Sequence, residues 1–208
     1  IAPTSNEIFA YAQRLGLVWV KIPLKESGYR KFSSSRIELT MDVGMIGPDY
    51  IPGHAHADTF NYELRIDGKP FIVDTGISTY NKNKRRQYER ETRAHNTVTL
   101  EDMSSSQVWG GFRVAKRATI ILLVEEEDKV RAIHNGYEDL GVKHERIFRK
   151  TGDCIIISDS LLASTSIQGI NIIIFSPSVQ ILSVENNLVY TNQGRILMNG
   201  VDCIRLEE

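Results

Sequence analysis

The sequence predicts an all-β protein: an antiparallel, many-stranded β-sandwich of the jelly-roll or supersandwich kind, led by one short helix. Three observations predict it. Beyond residue 16 the chain is a succession of short segments, many alternating apolar and polar residues with the two-residue period of a strand. Turn signals such as Asp67-Gly68, Asn186-Asn187 and Gln193-Gly194 separate these segments. Only one stretch carries both a helical start and a helical stop.

That stretch is Asn6 to Leu15. Thr4 can cap it with Glu7 three residues on, and Gly16 supplies a left-handed stop. Ile8, Ala12 and Leu15 share one face, so the helix is expected to pack on the edge of the main body. Val18 to Ile22 reads as a strand that stops at Pro23. Gly28 to Phe32 and Arg36 to Val43 follow. In the second, Ile37, Leu39 and Met41 alternate with Glu38, Thr40 and Asp42. Phe60 to Ile66 and Pro70 to Val73 form a hairpin about Asp67-Gly68. Further strands are expected at Asn96 to Leu100, Ala118 to Val124, Val130 to Asn135, His144 to Lys150 and Cys154 to Asp159. The last group comprises Gly169 to Phe175, Val179 to Val184, Leu188 to Thr191 and Arg195 to Met198. Gly76 to Arg93 stands out as a long basic and aromatic loop, the kind of segment that often carries function.

With 208 residues and 41% hydrophobic content, the chain can bury a sizeable core. A formal net charge of -1 gives no electrostatic reason to expect nucleic acid or an acidic membrane surface. The longest apolar runs, such as Ile120 to Val124, are too short to cross a bilayer, so no membrane span is expected. Cys154 and Cys203 are as compatible with two free thiols as with a disulfide. No signal peptide is visible, and a start at Ile1 suggests a processed or truncated piece.

The densest polar signal is Gly53-His54-Ala55-His56-Ala57-Asp58. In an extended chain His54 and His56 project to one face, and imidazole is the commonest protein ligand for zinc and its neighbours. Asp74 ends the apolar run Phe71-Ile72-Val73, where a buried acid needs a partner. His95 heads another strand. Two imidazoles and one carboxylate from three strands make a three-ligand set with a fourth position for water or substrate. The plain alternative is a turn-capping histidine beside a surface one.

Several motifs then occur in order: Gly47-Pro48-Asp49-Tyr50, the Gly53 to Asp58 run, Asp67-Gly68-Lys69-Pro70, Val73-Asp74-Thr75-Gly76, Thr79-Tyr80-Asn81 and Arg93 to Val98. Together they resemble the bacterial heparinase II/III-like family. In that family an N-terminal α/α toroid packs on an antiparallel β-sandwich, with the active site between them. The resemblance implies a lyase that cleaves uronate-containing polysaccharide, such as a glycosaminoglycan or alginate, by β-elimination. It implies one structural zinc per chain, held by His56, Asp74 and His95, with His54 facing the sugar. Residues 1–16 would be the remnant of the connection to the helical domain, and residues 17–208 the sandwich. The partners implied are the acidic polysaccharide and the toroid of the same protein, in the periplasm or outside the cell. Without the toroid, the fragment is expected to have little activity.

Tyr80 and Tyr88 are this domain's candidates for catalytic base and acid, though a tyrosine also packs readily with its hydroxyl satisfied. Arg93 and Arg90, with Arg85 and Arg86, can pair with carboxylates or sulfates, the alternative being a solvated basic loop. His134 and His144 match no motif and read as ordinary strand or turn residues. Ile174-Phe175-Ser176-Pro177 departs from relatives that carry a histidine before the proline. Two rivals remain. A cupin-like metalloenzyme also uses HxH, but position 61 is Asn where its pattern needs Glu, and Glu63 comes two residues late. A non-catalytic carbohydrate-binding sandwich would use Trp19, Tyr50, Tyr80, Tyr88 and Trp109 as a platform.

Overall fold

The computed structural model describes residues 3–18, 20, 25–101 and 103–207. Trp19 and residues 21–24, and with them most of the strand expected at Val18 to Ile22, lie outside the described residues.

Helix α1 spans Ser5–Arg14 and forms for the reason its sequence suggests. The Thr4 hydroxyl accepts the Glu7 N–H, and the Glu7 carboxylate accepts the Thr4 N–H at 2.7 Å, so two orphan donors are satisfied. One expectation fails here: α1 buries none of its residues, and Ile8, Tyr11 and Leu15 stay more than half exposed.

Strands β1 (Tyr29–Ser33), β2 (Ile37–Asp42), β3 (Tyr62–Ile66) and β4 (Lys69–Ile72) form one antiparallel sheet in that order. Asp67 and Gly68 close the β3–β4 hairpin with positive φ at both positions (50° and 75°). After the short strands β5 (Val98–Leu100), β6 (Val108–Trp109) and β7 (Arg113–Val114) comes the second large sheet. It contains β8 (Ile120–Glu126), β9 (Lys129–Tyr137), β10 (Val142–Thr151) and β11 (Cys154–Leu162), again paired with sequence neighbours. Strand β12 (Gly169–Asn171) pairs with β5, and β13 (Ile181–Glu185), β14 (Leu188–Thr191) and β15 (Arg195–Leu197) make a three-stranded sheet.

The two large sheets enclose the core. Leu39, Met41, Tyr62, Leu64, Phe71 and Ile72 of the first meet Val130, Ala132 and Phe148 of the second. Burying each large side chain contributes roughly 1.5–3 kcal/mol, and Tyr62 meets Phe148 edge to face at 6.0 Å. This is a β-sandwich with a short N-terminal helix.

A polar chain is set inside it. The Gly136 N–H donates to Nδ1 of His134, which assigns the proton of that ring to Nε2. Nε2–H of His134 donates to Nδ1 of His144 (3.1 Å), and Nε2–H of His144 donates to Asp159 (2.6 Å). Both histidines are strand residues, as expected, but fully buried ones, paired across β9 and β10. All their ring nitrogens are satisfied.

Because β2, β3 and β4 alternate in direction, the connections 43–61 and 73–97 leave the first sheet at one end. That end carries the chemistry.

Candidate functional site

The β2–β3 connection is anchored at its exit. Phe60 takes a left-handed φ of 70°, a strained conformation held by its surroundings. Its ring is fully buried against His134 (4.8 Å) and His144 (5.3 Å), and its carbonyl accepts Nη1–H of Arg146 at 2.8 Å. The turn also closes with the Asn61 N–H donating to the Asp58 carbonyl. This fixes where Asp58 and His56 stand.

His56 is half-buried and its ring lies 5.3 Å from that of His95, which is fully buried. One ligand atom from each of His56, Asp58 and His95 falls within 4.8 Å of the others. Asp74 takes a different place: its Oδ1 accepts Nδ1–H of His95 at 2.6 Å. With the proton on Nδ1, Nε2 of His95 carries a bare lone pair, and that atom is buried without a hydrogen-bond partner. A carboxylate on the far nitrogen of an imidazole is the usual way to aim the near nitrogen at a metal. Neutral imidazoles, adjacent carboxylates and an unmatched buried lone pair fit a divalent cation such as zinc.

The electrostatics agree with that fit. Burial and the neighbouring His95 push His56 down to about 4, so it stays neutral and able to ligate near pH 7. Burial pushes Asp58 up to about 7. Burial alone would raise Asp74 as well, but the hydrogen bond from His95 brings it below the usual carboxylate range. A cavity of about 640 Å3 opens beside the cluster, lined among others by Tyr29, Asp42, His54, His56, Asp58 and Asp74.

His54 and His56 both line this cavity. His54 is exposed, with Tyr80 edge-on at 5.5 Å and Phe112 at 6.0 Å. Tyr80 and Phe112 stack at 6.2 Å over the buried Arg86 guanidinium. Tyr88 is half-exposed and lies against Arg93 (5.1 Å). Arg93 is exposed and pairs with Glu91 at 2.7 Å. Arg90 is fully buried: its guanidinium donates to the carbonyls of Ala55, Trp109 and Arg113. In this structure it braces the loop between the two histidines and has no surface to offer a substrate.

The segment expected to be a loop contains a short helix, α2 (Lys84–Glu89), capped by the Asn83 side chain on the Arg86 N–H. Glu63, the acid a cupin-like site would need, is exposed on β3, while Asn61 stands at the site. Sequence reasoning did not assign Asp58, Asn61, Asn96 or Arg146 a part in this region. Asp58 at least continued the alternation of His54 and His56.

The family described as Heparinase II/III-like, C-terminal, matches residues 20–195, and the chain belongs to it. No match was found among curated proteins. Among solved structures the chain is similar to a heparan sulfate lyase HepC mutant from Pedobacter heparinus, with TM-score 0.56 and 16% identity over 77% of this chain and 27% of that one. It is also similar to the heparinase III-BT4657 gene product, with TM-score 0.55 and 21% identity over 78% of this chain and 26% of that one. At these identities the likeness is one of fold. The chain spans about a quarter of the length of these relatives.

Proposed function

We propose that this chain is the β-sandwich part of a polysaccharide lyase that cleaves uronate-containing polysaccharide by β-elimination and forms one side of its substrate cleft. The carrying observation is the unmatched, buried Nε2 of His95 beside His56 and Asp58, one wall from the exposed His54. Membership of the family supports the reading. The partners are an acidic polysaccharide and a helical domain of the same protein, working in the periplasm or outside the cell.

Zinc would be held by His56 and His95 with an aspartate, Asp74 by the family pattern or Asp58 by proximity. Bound there, it supplies fixed positive charge that ties the two long connections together. This chain's residues contribute one side of the reaction. In β-elimination the C5 proton leaves to a base, the electron pair forms the C4–C5 double bond, and the departing O4 takes a proton. His54, exposed at the cavity wall, touches the uronate carboxylate or shares in this proton transfer. Tyr80, edge-on to His54, is the better placed of the two tyrosines to act with it; Tyr88 remains the second candidate. Arg93 has the exposure to meet a substrate anion if it releases Glu91.

The test is the full-length protein on a panel of uronate polysaccharides, followed by ultraviolet absorbance of the unsaturated product. Activity that falls by roughly 100-fold or more on His54→Ala supports the reading, that being the usual worth of a proton-transfer group. Absence of product with every acidic glycan overturns it. Glycan binding without cleavage would instead favour a binding module built on the stacked Tyr80 and Phe112.

A further inference from the structure

Asn61 connects three of the segments that meet at the site. Its backbone N–H donates to the Asp58 carbonyl at 2.8 Å, closing the turn that carries Asp58. Its side-chain Nδ2 donates to Asp74 Oδ1 at 2.9 Å, the oxygen that also accepts Nδ1–H of His95. Its Oδ1 accepts the backbone N–H of Asn96, the residue after His95, also at 2.9 Å. Asn96 is itself fixed, fully buried, with its amide nitrogen donating to the carbonyls of Tyr62 and Val73 and its oxygen accepting the Ile174 N–H.

We infer that Asn61 is a positioning residue for the cation site, acting through Asp74 on the ring of His95. The inference rests on the zinc site proposed above. An amide suits this task because its nitrogen donates to the carboxylate while its separate oxygen accepts from the backbone N–H. An aspartate could accept but would repel Asp74. A glutamate, as in the cupin pattern, would bring a third charge to the same corner. Without the Asn61 donor Asp74 keeps the Gly76 N–H on Oδ2 (2.7 Å) but loses the bond that ties Oδ1 to the β2–β3 connection, and the anchor that aims Nε2 of His95 is loosened. Losing such an outer partner typically lowers metal affinity by roughly 10–100-fold.

The experiment measures zinc affinity of the purified chain by chelator competition, with the melting temperature of the zinc-free protein as the control for folding. Asn61→Asp keeps the acceptor for Asn96 and removes the donor to Asp74. Its added negative charge would by itself tighten cation binding, so a fall isolates geometry. The expected result is affinity lowered roughly 10-fold or more in Asn61→Asp and in Asn61→Ala, with zinc-free melting retained in at least one. A folded Asn61→Asp that binds zinc as tightly as the parent overturns the inference, even if Asn61→Ala is weaker, because Asn61 would then serve Asn96 alone. If Asn61→Asp does not fold, unchanged affinity in Asn61→Ala overturns it. A parent chain that binds no zinc overturns the site itself, a separable outcome.

Discussion

Arg146 and Asp159 face each other across β10 and β11 as a two-pronged ion pair, Nε to Oδ1 at 2.6 Å and Nη2 to Oδ2 at 2.8 Å. The remaining Arg146 nitrogen donates to the carbonyls of Phe60 and Asn96. One buried guanidinium therefore joins the second sheet to both connections that bear the site. Removing Asp159 alone leaves that charge uncompensated. We expect Asp159→Leu to cost about 3–5 kcal/mol in urea unfolding, and the paired change Arg146→Met with Asp159→Leu to cost less than the two singles added. Strict additivity would mean that the pair carries no coupling.

Stability should fall as the solution becomes acidic. Burial holds His134 well below its usual value. Burial also lowers His144, although Asp159 pulls the other way. For groups depressed in the folded state, the stabilisation is present above the unfolded pKa, near 6.5 for histidine, and is lost as pH drops below it. Each contributes up to about 1.4 kcal/mol per pH unit. Urea midpoints at pH 7.5, 6.5 and 5.5, taken with a chelator present, should decline mainly over the last step. A flat profile would mean that these rings take up protons as readily in the folded protein as in the unfolded one.

Two aspartates, Asp58 and Asp74, stand near the proposed cation site. His56→Ala and His95→Ala should each abolish tight zinc binding, and Asp74→Ala should lower it by roughly 10-fold or more. Asp58→Asn is the discriminating variant. We expect it to lose affinity as well, given its placement with the two imidazoles. Elemental analysis and chelator competition read the result. Unchanged binding in Asp58→Asn would leave Asp74 as the carboxylate ligand.

Gly28 and Gly44 touch backbone to backbone beside the cavity. A Cβ on Gly44 would stand 2.7 Å from the Gly28 Cα, with no flexible side chain to yield. Gly44→Ala should cost about 1–3 kcal/mol. Each kcal/mol lowers the melting temperature of a chain this size by roughly 2–4 °C. Gly28→Ala should cost more, since its φ of +86° also disfavours a side chain. A scanning calorimeter settles the ranking.

Much of the sandwich was legible because alternation and burial are one phenomenon. Leu39 and Met41 are buried and their neighbours less so, as the pattern in β2 requires. The β6–β7 hairpin was not legible, since two-residue strands about Gly110 and Gly111 are too short to alternate. Helix α2 was hidden because two of its six residues, Arg86 and Glu89, are buried through polar partners, which leaves no apolar stripe. Arg90 misleads for the same reason: backbone carbonyls, not a counter-ion, receive its protons. The residues quoted for the site do converge in part, with His56, Asp74 and His95 in one neighbourhood. What the sequence could not carry was the turn geometry at Phe60 and Asn61, which decides how close Asp58 comes.

Helix α1 leaves one more consequence. Its caps close both ends but none of its ten residues is buried, and helix propensity alone holds a segment of that length only marginally in water. Its amide protons should therefore trade with solvent quickly, by fraying, while those of β9 and β10 wait for the whole sandwich to open. One polypeptide would thus run two clocks in a hydrogen-exchange experiment.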